Sequence, residues 1–178
     1  VAVIFTVEDG TGLAAANSYV SVAFADDYLT IKPNTAPWLA LSSTEKERYL
    51  MLGSRALDNA ATYRGSKYAE ESGLRWPRTG AVDCDGLTQP YDEVPDAIKH
   101  ATVELAFHYV FHGIDPSVPL STSGEIKKIK ADVIEIEYVD GTQSTAINYF
   151  PQGINGVLQC LGRVTTGNGS SFGRILRA

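Results

Sequence analysis

The chain has 178 residues, which fits one domain with appendages, and its 44% hydrophobic content can bury a core. A formal net charge of −6 excludes the overall basicity of a free-standing nucleic-acid binder. No apolar run is long enough to span a bilayer, and Cys84 and Cys160, far apart in sequence, form neither a disulfide framework nor a zinc pattern, so a reducing, intracellular compartment is expected.

Val1-Ala2-Val3-Ile4-Phe5 lacks the basic flank of a signal peptide and reads as a short strand. Glu8-Asp9-Gly10-Thr11-Gly12 is a turn signal. Ser21 caps a predicted helix over about 21–31, which Pro33 and Pro37 end. Ser42 with Glu45, or Thr44 with Glu47, opens a second helix that runs to about Ala61; Tyr49, Leu50, Leu52, Ala56, Leu57 and Ala60 follow helical spacing.

Residues 64–94 hold no long periodic run, and a stretch of that length inside a domain is functional or packed on itself. Trp76, beside Pro77 and Arg78, reads as a structural anchor. Pro95 opens the clearest helix, to His112, with Ile98, Ala101, Leu105, Phe107 and Val110 on its buried side and Gly113 ending it. Alternation then marks a strand: Val133, Ile134, Ile136 and Tyr138 are candidates for pairing between subunits, with Asp140-Gly141 as a hairpin turn. Pro151 starts a short helix through Ile154, Val157, Leu158 and Leu161.

The charge is segregated. Residues 1–140 hold 12 basic and 21 acidic side chains, a net of −9, whereas the remainder carries only Arg163, Arg174 and Arg177. A Gly/Ser-rich linker leads to Phe172-Gly173-Arg174-Ile175-Leu176-Arg177, an arm suited to ordering on an acidic partner. The expected fold is mainly α with a small β element (α+β): a helical bundle with a β-hairpin over 1–164 and an extended C-terminal tail over 165–178.

Catalytic chemistry has little to stand on. His100, Glu104, His108 and His112 recur every four residues along one helix; Glu104, His108 and His112 are the candidate metal ligands, and a metal-binding helical enzyme domain is one alternative. Asp83-Cys84-Asp85-Gly86 opens like a calcium loop, but Val94 stands where the twelfth-position carboxylate belongs. Neither a nucleophile elbow nor a phosphate-binding glycine loop is present. No catalytic residue and no cofactor are expected.

Several blocks occur together: Asn17-Ser18-Tyr19-Val20-Ser21-Val22-Ala23 with Ala25-Asp26 and Tyr28; Ser54-Arg55-Ala56-Leu57-Asp58; Arg64-Gly65; Trp76-Pro77-Arg78-Thr79-Gly80; and the helix opened by Val94-Pro95. Over about residues 15–165 this pattern resembles the DnaT-like family of tailed-bacteriophage proteins, related in fold to head–tail connectors. The resemblance implies a structural head–tail adaptor in the virion neck, made in the host cytoplasm. It also implies a self-assembled ring, commonly of twelve subunits, beneath a portal protein. Its arm (172–177) would dock on the portal, a neck or tail-completion protein would bind below, and double-stranded DNA would pass through the lumen unbound, with no membrane partner. The family's label also carries single-stranded DNA binding. With no basic groove and no aromatic cluster legible in the sequence, a single-stranded-DNA-binding replication accessory protein stands as the other alternative.

Overall fold

A computed structural model describes residues 3–113 and 152–164. The predicted strand at Val133–Tyr138, the Asp140-Gly141 turn and the arm Phe172–Arg177 lie outside them. The described residues form a helix-rich α+β domain, in agreement with the expected class.

Local capping sets where the helices begin. Ser21 stands in extended conformation before α1 (Val22–Leu29), and its Oγ accepts the Phe24 N–H at 3.2 Å. The long helix α3 (Ser43–Ala60) uses the first of the two possible capping boxes. The Ser42 Oγ accepts from Glu45 N, and the Ser42 N–H donates to Glu45 Oε2 at 2.8 Å. Between them lies a four-residue helix, α2 (Ala36–Leu39), in the stretch where Pro33 and Pro37 were expected only to end the preceding helix. Pro37 falls in its first turn, where no intrahelical N–H is needed. Trp38 then closes the turn from inside: it is fully buried, and its Nε1–H donates to Asp26 at 2.7 Å.

The fourth helix, α4 (Asp96–His112), is the centre of the domain. Pro95 is its N-cap, and Gly113 at φ 60° is its left-handed C-cap. Ile98, Ala101, Thr102, Val103, Leu105, Ala106 and Tyr109 are all buried, so the helix is covered on most of its circumference. Phe107 and Val110, expected inside, are only partly buried. The crossing with α3 is close because Gly53 faces it. A Cβ there would lie 2.9 Å from the Thr102 carbonyl oxygen and 3.3 Å from Ala106 N.

Two short antiparallel pairs complete the domain. β1 (Ala61–Tyr63) pairs with β4 (Gly162–Val164) in the register Ala61↔Val164, and β2 (Ser66–Lys67) pairs with β3 (Arg78–Thr79). Between α4 and β4 in chain order, α5 (Gln152–Leu158) packs on α4 and buries Ile154 and Leu158. The cysteines separate in sequence meet in space: Cys84 and Cys160 form a disulfide. That corrects the reading of two unrelated thiols and removes the cysteine argument for a reducing compartment.

The N-terminal strand is also corrected. Residues 3–6 join no ladder; one isolated parallel bridge links Val7 and Ser18. The groups a ladder would use are taken by the Asn17 side chain, which accepts from Thr6 N–H (2.9 Å) and donates to the Ile4 carbonyl (2.7 Å). The following turn is built around a buried carboxylate: Glu8 accepts the N–H groups of Gly10, Gly12 and Leu13 at 3.0, 2.8 and 3.0 Å.

Candidate nucleic-acid interface

Residues from three distant parts of the chain meet at Asp58, near the end of α3. Its Oδ1 accepts the Tyr19 hydroxyl at 2.6 Å, and its Oδ2 accepts the Arg75 N–H at 3.0 Å. The same Tyr19 oxygen accepts from Arg75 N (3.1 Å) and Trp76 N (3.3 Å). Burial pushes the Asp58 carboxyl above its ordinary pKa, while the hydrogen bonds from Tyr19 and Arg75 pull the other way. Burial also raises Tyr19 well above a normal phenol, with Asp58 adding to it. These bonds fix the 74–78 segment on α3. Trp76 and Pro77 are fully buried, and Trp76 meets Tyr63 edge-on at 5.7 Å. Arg78 is committed to backbone carbonyls, donating to Arg64 O, Gly65 O and Arg75 O at 2.8, 2.6 and 3.1 Å.

Pinning that segment creates an open groove of about 1110 Å³ between it, α3 and the N-terminal strap. The α3 wall presents Thr44, Arg48, Met51, Arg55 and Asn59, at helical spacing on the side away from the buried Leu50, Gly53 and Leu57. Lys67 and Arg75 stand on the second wall, and Val3 and Phe5 on the strap. Among the described residues the groove thus gathers four cations against two carboxylates, Glu47 and Asp58, in a chain of net charge −6.

The four cations are not equivalent. Lys67 Nζ donates to the Ser72 carbonyl at 2.6 Å, and the Arg75 guanidinium donates to the Ala61 carbonyl at 2.9 Å. Arg48 and Arg55 are exposed, and among the described residues neither forms an ion pair. Two helical turns separate them, about 10 Å along the axis. This spacing of seven on the polar side of α3 was the readable signal; Lys67 and Arg75 had none, because only the fold brings them alongside.

The candidate metal ligands lie elsewhere, on a cavity of about 330 Å³ lined also by Lys32, Phe107, Phe111 and Ile154. Glu104 Oε1 accepts from Lys32 Nζ (2.6 Å) and from the Tyr28 hydroxyl (2.8 Å). His100, the first member of the stripe, stacks on Tyr28 at 4.7 Å, and His108 lies 4.6 Å from His112, ring to ring. Among the described residues no group of three or more His, Cys, Asp or Glu side chains is placed to hold a metal ion. The upper half of the stripe is spent on joining α4 to α1.

A family model described as "Putative DnaT-like ssDNA binding protein" matches residues 3–178. No curated protein and no solved structure matches the chain. The family's description names single-stranded DNA and nothing of a virion, so the expected adaptor is corrected. The portal and neck partners, the twelve-subunit ring and the passive passage of double-stranded DNA fall with it. The match runs through every block that carried the resemblance, from Asn17 to the Pro95 helix, and the chain belongs to this family of DnaT-like proteins.

Proposed function

We propose that the chain binds single-stranded DNA along the groove between α3, the 67–75 segment and the N-terminal strap, and that it acts by binding rather than by catalysis. The observation that carries this reading is the clustering of Arg48, Arg55, Lys67 and Arg75 on one open surface of an acidic protein. Opposed charge over the rest of the molecule confines a polyanion to that surface. Guanidinium groups suit phosphate because their planar fork donates two hydrogen bonds at once. Open ends let a chain enter and leave. The description of the family supports the same reading. Among the described residues the groove is lined by neither His nor Cys, and the one buried carboxylate lining it, Asp58, is occupied by Tyr19 and Arg75.

The test is binding of a labelled thymidine oligonucleotide across a salt series. Affinity is expected to fall steeply with salt, since each phosphate neutralised on a single strand contributes about 0.7 to the logarithmic slope. Replacing Arg48 and Arg55 together by alanine should weaken binding roughly tenfold or more and flatten that slope by about 1.4. No binding at low salt, or affinity and slope both unchanged in the double variant, sinks the proposal.

A further inference from the structure

We infer that Phe5 is the residue on which the bound strand stacks a base, and that Asn17 positions it. The inference rests on the proposed groove, whose walls differ in chemistry. The exposed cations of α3, Arg48 and Arg55, stand on one side, and the strap carries Val3 and Phe5 on another. Phe5 is half-buried: it packs against the core and also lines the groove. A ring held in this way presents a face at little further entropic cost. Phosphates on the arginine wall and a base on the aromatic wall is the arrangement that single strands, unlike duplexes, can satisfy, because their bases have free faces.

The strap keeps its place without a sheet. Asn17 holds it at two points on either side of Phe5, accepting the Thr6 N–H and donating to the Ile4 carbonyl. Backbone bonds from Asn17 N and Ser18 N to the Thr6 carbonyl, and from Glu8 N to the Ser18 carbonyl, continue the attachment. An asparagine that grips the residues before and after an aromatic side chain sets the height and tilt of that ring over the groove. This accounts for a residue otherwise spent on a segment that forms no ladder.

The experiment uses the whole chain and a labelled thymidine oligonucleotide long enough to fill a site of about 4–16 nucleotides. Phe5→Ala is expected to weaken binding roughly tenfold with the salt slope unchanged, because stacking, unlike phosphate contact, releases no counterions. Phe5→Trp should bind about as well as the parent, since every base can stack on either ring. Asn17→Ala should weaken binding in the same way, and should add nothing once Phe5 is alanine, as a residue acting only through Phe5 must. Photocrosslinking of the unaltered chain, which needs no variant to fold, should attach the oligonucleotide to the peptide that contains Phe5. Unchanged affinity in Phe5→Ala while the Arg48/Arg55 variant binds weakly overturns the stacking role and leaves the groove standing. Crosslinks confined to other peptides do the same. A parent chain that binds no oligonucleotide overturns both.

Discussion

Trp76→Ala is expected to remove about 3–5 kcal/mol of folding stability, the range for deleting a fully buried large aromatic side chain. That is a large part of the ~5–15 kcal/mol that holds a typical domain. The indole is enclosed, it meets Tyr63 edge-on, and the residue's own backbone N–H is bonded to Tyr19, so little around it can collapse into the space. Among the described residues its Nε1–H finds no acceptor. Phe therefore gives up less than the difference in ring size suggests, and Trp76→Phe should lose no more than about half as much as Trp76→Ala. Urea unfolding of the three proteins decides the matter. A loss below about 1 kcal/mol for alanine would mean that the 74–78 segment is held by its hydrogen bonds alone.

Asp58→Ala is expected to cost about 2–4 kcal/mol, because it leaves the Tyr19 hydroxyl without its acceptor in a buried place and the Arg75 N–H with the Tyr19 oxygen alone. Asn keeps one acceptor oxygen and should lose less. The two also separate by pH. Burial raises the Asp58 carboxyl, so the folded chain keeps that proton to a higher pH than the unfolded chain does. The group's contribution is present in full below its unfolded pKa and is lost as the pH rises through the folded one. The stability gap between the parent and Asp58→Asn should accordingly be widest in acid and narrow toward neutrality, as read from urea midpoints at several pH values. A gap that widens with pH would show that the donors around Asp58 outweigh its burial.

What could be read in advance was what chain neighbours decide. Ser21, the Ser42–Glu45 box, Pro95 and Gly113 mark their helix ends because a cap is a contact between residues at most a few positions apart. The rest was decided by groups distant in the chain. Val3–Phe5 has the composition of a strand, yet the Asn17 side chain takes its polar groups. β1 and β4 are three residues each and lie about a hundred positions apart, so neither carries a period. The α4 stripe of His and Glu stayed a candidate ligand set beside a plain polar stripe, because one helix cannot show that Tyr28 and Lys32 will lie against Glu104.

The groove was hidden by averaging. A net charge of −6 describes the sum over a surface, whereas a polyanion meets only the part it touches. Arg48 and Arg55 stand seven apart on the polar side of a helix, a spacing present in the sequence that was not taken as a site. Lys67 and Arg75 have no such spacing, since the Tyr19–Asp58 contact that seats the 74–78 segment spans 39 positions. The Trp-Pro-Arg-Thr-Gly block identified the family correctly while the function inferred from it needed correcting. The block itself is taken up by internal packing, so it reports ancestry and fold more directly than it reports a ligand.

The Cys84–Cys160 bond makes part of the chain a closed covalent ring that contains α4 and α5. Any single backbone cut between those two cysteines therefore produces two pieces that still travel as one molecule. A protease acting there leaves the band on a non-reducing gel at its original mass, and only a thiol divides it. Continuity of the polypeptide is, over that stretch, no longer a condition for the domain staying together.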